Sequence, residues 1–319
     1  MEPLDFAVYR FLSQEGVARF WAGRRVLDPR ITPREIAGRV GLSESGVRTR
    51  LHHLAERGFL RDRAVVPHPA LFGRKVFVAD LVVHQPGEVD RILRDLGLVE
   101  GVMFTRDVMD ETERTVQVYF GCEDEARAPR IAALIGRLAT ASGPVVPRLY
   151  YLPPCALEMS RVDWRVLNGV LREPDASFAE LGKAVGISLK TAARSYHRLV
   201  EGRACWWTHG PQSEEFPLAL VRVDLDDPKD RESVAGWIGF DGHPWMPVAN
   251  DGLGLEPEDA EGVVAGLVPD DLPTALERFL RNLAGVAGVA RIRRTFALGS
   301  ASYTAWFADR LAGQALRGS

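Results

Sequence analysis

Residues 31–60, ITPREIAGRVGLSESGVRTRLHHLAERGFL, align without gaps on residues 176–205, ASFAELGKAVGISLKTAARSYHRLVEGRAC. Seven positions are identical: Glu35/Glu180, Val40/Val185, Gly41/Gly186, Ser43/Ser188, His52/His197, Leu54/Leu199 and Glu56/Glu201. The kind of residue that matches matters more than the number. Each copy opens with Thr32-x-x-Glu35 or Ser177-x-x-Glu180, a capping box in which hydroxyl and carboxylate satisfy free backbone N–H groups at a helix start. Ile36 and Val40, like Leu181 and Val185, are four apart and give each short helix one apolar stripe. Gly41 and Gly186 supply the left-handed residue that ends it. Ser43 and Ser188 then cap a second helix, with core stripes Val47, Leu51, Leu54 and Ala192, Tyr196, Leu199. Helix, glycine turn, helix is the helix-turn-helix pattern.

Working outward, Leu4-Asp5-Phe6 and Val162-Asp163-Trp164 begin a further amphipathic helix in each copy, and the first copy carries additional residues around Phe20 to Arg30. Phe59 to Val66 reads as a short hairpin, a wing, with Arg61, Asp62 and Arg63 at its tip. The chain then predicts strand (Lys75 to His84), helix (Gly87 to Leu96), strand (Gly101 to Val108), strand (Arg114 to Cys122), helix (Glu125 to Ala139) and strand (Val145 to Leu152). This βαββαβ order is that of a ferredoxin-like sheet. A looser second copy predicts Leu218 to Leu225, a helix near Arg231 to Trp237, Pro244 to Val248, Gly262 to Val268, a helix Pro273 to Leu283, and Val289 to Leu298. The expected fold is α+β: two winged helix-turn-helix units (1–70 and 156–212) alternating with two ferredoxin-like βαββαβ regulatory-type domains (71–155 and 213–319).

Composition agrees with such a chain. At 319 residues, 46% hydrophobic and 26% charged, it is long enough for several packed cores and unlike a disordered sequence. No apolar run approaches the ~20 residues of a membrane span, and the N-terminus lacks a secretory signal, so a cytoplasmic protein without membrane contact is expected. Cys122, Cys155 and Cys205 are odd in number and widely spaced, which fits neither a disulfide framework nor a zinc motif. Net charge is −3, but residues 1–75 hold 14 Lys and Arg against 8 Asp and Glu, so positive charge gathers at the N-terminal end.

The stretch GLSESGVRTRLHHLAERGFL, followed by PHPALFG and a strand, resembles the winged-helix part of the Lrp/AsnC (leucine-responsive) family of transcriptional regulators, here as a tandem fused duplication. The βαββαβ unit resembles that family's regulatory domain. Two departures stand out. Cys205-Trp206-Trp207-Thr208-His209 replaces a basic wing in the second copy, and Arg106-Asp107-Val108-Met109-Asp110-Glu111 stands where the family has a Gly-Asp loop. The resemblance implies double-stranded DNA as partner, a small-molecule effector at the sheet domains and homodimerisation through the ferredoxin-like domains, with no cofactor.

In such a motif the second helix enters the major groove, and only side chains opposite its core stripe reach base edges. The helical wheel turns Ser45, Arg48, Thr49 and His52 outward in the first copy, and Lys190, Ala193, Arg194 and His197 in the second, with Arg198 at the flank. Arg50, Arg61 and Arg63 add positive charge. Ser43 and Ser188 mark helix N-termini that offer N–H groups to phosphate. These are the expected DNA-binding residues. No nucleophile with a base, no HExxH and no phosphate loop is present, so the chain is expected not to be an enzyme. Cys205 with His209 and His197 reads as a buried cysteine, not a metal site, for want of a paired ligand motif. One enzyme class, the sirohaem decarboxylases, resembles the same two-part architecture and uses histidine and arginine around a tetrapyrrole; the comparable Phe104-Thr105-Arg106-Asp107 has the arginine without the histidine. A winged helix that binds protein instead of DNA is the remaining alternative.

Overall fold

A computed structural model describes residues 3–13, 32–56, 64–109, 113–208 (apart from 142, 151, 153, 156 and 175), 218–230, 233, 234, 237, 245–248, 262–267 and 272–302. The described parts form two compact units, each drawing on both halves of the sequence.

The first unit contains the two duplicated helix trios. They are α1 (Pro3–Ser13), α2 (Pro33–Val40) and α3 (Glu44–Glu56) in one copy, and α6 (Arg161–Arg172), α7 (Phe178–Val185) and α8 (Leu189–Glu201) in the other. Both capping boxes form: the Glu35 and Glu180 carboxylates accept from the N-cap backbone at 2.7 and 2.8 Å. Gly41 (φ 71) and Gly186 (φ 66) end α2 and α7 in the left-handed region, which strains any residue with a Cβ. Val47 and Leu54 are buried as expected, and so are Ala192, Tyr196 and Leu199, as are Val166, Leu167, Val170 and Leu181 of the same trio. Leu51 is half-buried.

The predicted first wing falls mostly outside the described residues, and its described strand has a partner the sequence reading did not give. β1 (Ala64–Pro67) pairs antiparallel with β6 (Cys205–Thr208) of the other copy, in register Ala64↔Thr208 to Pro67↔Cys205. This four-residue strand, closed by Pro67, finds backbone partners in the equally short Cys-Trp-Trp-Thr of the second copy. Residues 57–63, with Arg61 and Arg63, lie outside the described residues. The joint continues past the strands: His68 N–H donates to the Ala204 carbonyl at 2.8 Å, and the Phe72 ring packs on Trp164 at 5.9 Å.

The second unit contains the sheet. The first βαββαβ set is β2 (Lys75–Val83), α4 (Val89–Leu96), β3 (Val102–Met109), β4 (Arg114–Cys122), α5 (Ala128–Leu138) and β5 (Arg148–Tyr150). The second supplies β7 (Leu218–Leu225), β8 (Trp245–Val248), β9 (Gly262–Leu267), α9 (Leu272–Leu283) and β10 (Val289–Ser302). The order β5-β2-β4-β3-β10-β7-β9-β8 repeats one ferredoxin-like arrangement twice, fourth strand, first, third, second. In the first set Phe77, Ala79, Leu81, Val116, Val118 and Phe120 are buried on the helix side, together with Ile92 and Leu96 of α4 and Ala132 and Ile135 of α5. In the second set Val221 and Val223 pack with Leu276, Phe279 and Leu283 of α9.

Two strand lengths differ from expectation. Among the described residues β5 is shorter, with Arg148, Leu149 and Tyr150 paired, and prolines at 147, 153 and 154 have no N–H to give on either side. β10 is longer because it has two partners in succession. Val289 to Ala297 pair with β7, Phe296 to Ser302 pair with β3, and a register shift between Ala297 and Gly299 marks the handover. Among the described residues no helix is long and apolar enough to cross a membrane.

The β1–β6 joint yields a test. Val65 is buried at its centre, so Val65→Asp buries an unpaired carboxylate and should cost about 3 kcal/mol or more. Hydrogen exchange should show amide protection falling together over 64–68 and 204–208; unchanged protection of 205–208 would contradict the shared ladder.

Candidate nucleic-acid interface

The same backbone presents two outward helix faces. On α3, Ser43, Ser45, Arg48, Thr49 and His52 are exposed, as predicted, and Arg50 is half-buried. Ser43 Oγ accepts from the Gly46 N–H at 3.0 Å, and Thr49 Oγ1 donates to the Ser45 carbonyl at 3.1 Å. On α8, Ser188, Lys190, Arg194, His197 and Arg198 are exposed, and Ser188 accepts from the Thr191 N–H at 3.1 Å. Each cap satisfies one of the free donors at its helix start and stabilises that end by ~1 kcal/mol.

Charge separates the two faces. On α3 the Arg48 guanidinium donates to Glu44 at 2.7 Å, and His52 lies 3.2 Å from Glu56. Both are i,i+4 pairs along the helix surface. On α8, Lys190 and Arg194 have no carboxylate partner among the described residues. Leu189 stands where the first copy has Glu44, and its side chain is 55% exposed. Sequence reading missed both Glu44 and Leu189 as members of these faces; the i,i+4 spacing of Glu44 and Arg48 was the available signal.

Arg198 is placed differently from its neighbours. Its Nη1 lies 3.3 Å from Asp163 Oδ2, and Asp163 is buried at the start of α6. Ser160 Oγ and Ser195 Oγ both donate to that carboxylate at 2.6 Å. Burial pushes the Asp163 carboxyl up, but the hydrogen bonds from Ser160 and Ser195 and the Arg198 charge outweigh it and hold it below the ordinary aspartate range. Arg198 therefore fastens α8 to α6. Arg50 stands at the position equivalent to Ser195, which accounts for its partial burial. His197 is flanked by aromatic rings, Phe178 and Tyr196, each at 5.8 Å.

In the sheet unit, Phe104-Thr105-Arg106-Asp107 divides by alternation. Thr105 and Asp107 are buried on the helix side, where Asp107 accepts from Arg114 Nε at 2.9 Å. Phe104 and Arg106 lie on the helix-free side. There the Arg106 guanidinium sits 5.7 Å from the Phe104 ring centre, and Phe104, Tyr119 and Tyr150 form a run of rings 5.5 and 5.2 Å apart. No histidine stands on the described strands of this face. Cys205 is buried, and burial together with the nearby Cys155 pushes its thiol up to about 12, the opposite of a metal-ready thiolate. No group of three metal-ligating side chains occurs among the described residues; His209 lies outside them.

Residues 26–61 match the family described as winged helix-turn-helix DNA-binding. No curated protein matches the sequence. Among solved structures, the siroheme decarboxylase NirDL in complex with an iron-uroporphyrin III analogue is similar over 99% of this chain and 100% of its own, at 13% identity and a TM-score of 0.47. An AsnC family transcriptional regulator from Agrobacterium tumefaciens is similar over 51% of this chain and 99% of its own, at 18% identity and a TM-score of 0.35. The Mycobacterium tuberculosis leucine response regulatory protein LrpA is similar over 50% and 96%, at 20% identity and a TM-score of 0.31. Likenesses of this size carry no argument about function. The helix-turn-helix rests on the family match and on the capped geometry above.

The Asp163 cluster gives a prediction with a sign. A depressed carboxyl contributes stability that is present above the unfolded aspartate value of about 3.9 and is lost as pH falls through the folded value. Asp163→Asn should cost about 1–3 kcal/mol at pH 7, and thermal melts should show the gap to the unaltered protein closing below about pH 4. A gap that is constant with pH would contradict the ion-paired reading.

Proposed function

We propose that the chain is a sequence-specific DNA-binding transcriptional regulator that carries two helix-turn-helix readers, with the sheet unit (71–155 and 213–319) as its regulatory half. The observation that carries this reading is the pair of capped recognition helices with exposed polar faces, α3 and α8, held in one unit by the β1–β6 ladder. Two-chain regulators bind half-sites about one helical turn, ~34–36 Å, apart and use identical readers on palindromes. Here Ser45, Arg48 and Thr49 meet Lys190, Ala193 and Arg194 at equivalent positions, so the two halves offer different donors and acceptors to the bases.

Selection of bound fragments from a random duplex library should enrich a composite of two dissimilar half-sites in fixed order. Arg48→Ala should relax one base position of one half-site, at a cost of ~1–3 kcal/mol. No enrichment above the starting library would overturn DNA reading.

A second reading has one observation in its favour. Arg106 with the Phe104, Tyr119 and Tyr150 rings is the chemistry that holds a flat anionic macrocycle, such as the one in the NirDL complex. Absorbance titration of the whole chain with an iron tetrapyrrole separates the two: a shifted Soret band lost in Arg106→Ala supports the enzyme reading, and an unshifted band removes it.

A further inference from the structure

Resting on the DNA-binding reading, we infer that the second helix-turn-helix sets the affinity: Lys190 and Arg194 grip phosphates, Leu189 packs on a thymine methyl, and α3 is a self-neutralised reader that contributes sequence choice.

The case begins with charge along each helix. α3 carries Arg48 and Arg50 against Glu44 and Glu56, whereas α8 carries Lys190, Arg194 and Arg198 against Glu201 alone. Position matters as well as number. Arg48 already spends its guanidinium on Glu44 at 2.7 Å, and a phosphate that approached it would meet the Glu44 carboxylate. Lys190 and Arg194, four residues and about 6 Å apart along one face, have no acid one turn away: the i−4 and i+4 positions hold Gly186, Arg194 and Arg198. The acids on the neighbouring helices are occupied. Glu180 of α7 closes the capping box with Ser177, and Asp163 of α6 holds Arg198. Phosphate neutralisation releases counterions in proportion to the free cations that make it, so α8 contributes the larger share.

Leu189 is the second observation. Leu189, at the first position of α8 and four residues from the small Ala193, leaves a large apolar side chain 55% accessible. In a major groove its position matches the thymine methyl, the one apolar feature on the base edges. Glu44 at the same place in the first copy is a carboxylate that faces Arg48 and offers no apolar contact.

The test uses the full chain and duplexes recovered by selection, with anisotropy titrations between 50 and 200 mM salt. Lys190→Ala with Arg194→Ala should weaken binding about 10-fold or more on every sequence and lower the log–log salt slope by about 2. Arg48→Ala should leave that slope unchanged, while Glu44→Gln, which frees Arg48, should strengthen binding about 2- to 5-fold. All four residues are exposed, so circular dichroism should report an unaltered fold. Replacing thymine by uracil at the contacted position should weaken the unaltered protein about threefold and leave Leu189→Ser indifferent. An unchanged slope in the Lys190/Arg194 variant, with a lowered slope in Arg48→Ala, overturns the division between the helices. Indifference of the unaltered protein to uracil at every position overturns the Leu189 assignment. Absence of any binding by the unaltered protein would instead overturn the DNA-binding reading itself.

Discussion

Four residues of backbone pairing, Ala64–Pro67 against Cys205–Thr208, hold the two helix trios to each other. A helix trio alone buries little apolar surface, and domains of that size are marginal. The ladder, the His68 to Ala204 hydrogen bond and the Phe72–Trp164 contact extend one small core into the next. An antiparallel ladder relates its strands by a local two-fold axis, the relation that dimeric regulators reach with two chains. The sheet unit repeats the lesson by another route, since β10 pairs first with β7 of its own copy and then with β3 of the other.

Once the two copies share a chain, their surfaces are free to diverge while their cores stay alike. The cores kept the residues that determine conformation: both capping boxes, Gly41 and Gly186, and the serines before α3 and α8. The outward faces did not. Glu44 and Arg48 became Leu189 and Ala193, and Ser45 and Thr49 became Lys190 and Arg194. Even the anchoring contact differs: Ser195 reaches the buried Asp163 where the first copy has Arg50. The backbone repeats one helix-turn-helix in two places, and the side chains on the outward faces differ between them.

Local chemistry was legible in the sequence. The glycine turns, the serine caps and the buried Val47, Leu54, Ala192, Tyr196 and Leu199 follow from spacing alone, because each is fixed by neighbours within four residues. What the sequence hid was non-local. Ala-Val-Val-Pro and Cys-Trp-Trp-Thr carry no mark of each other across the 137 positions between them, so their pairing does not follow from local patterns. The extra length of β10 had the same cause: Gly299 to Ser302 are strand only because β3 is there to pair with them. On the candidate interface the outward side chains were legible from the helical wheel. Their occupation by Glu44, Glu56 and Asp163 depends on side-chain geometry, which the wheel does not specify.

On the proposed reading one chain does what a pair of identical chains does in dimeric regulators, and the stoichiometry of the complex tests it most directly. Native mass spectrometry of the protein with a selected duplex should record one chain per duplex, with no population at two chains when protein is in slight excess. Complexes containing two chains on a palindromic duplex, and none containing one, would contradict the account.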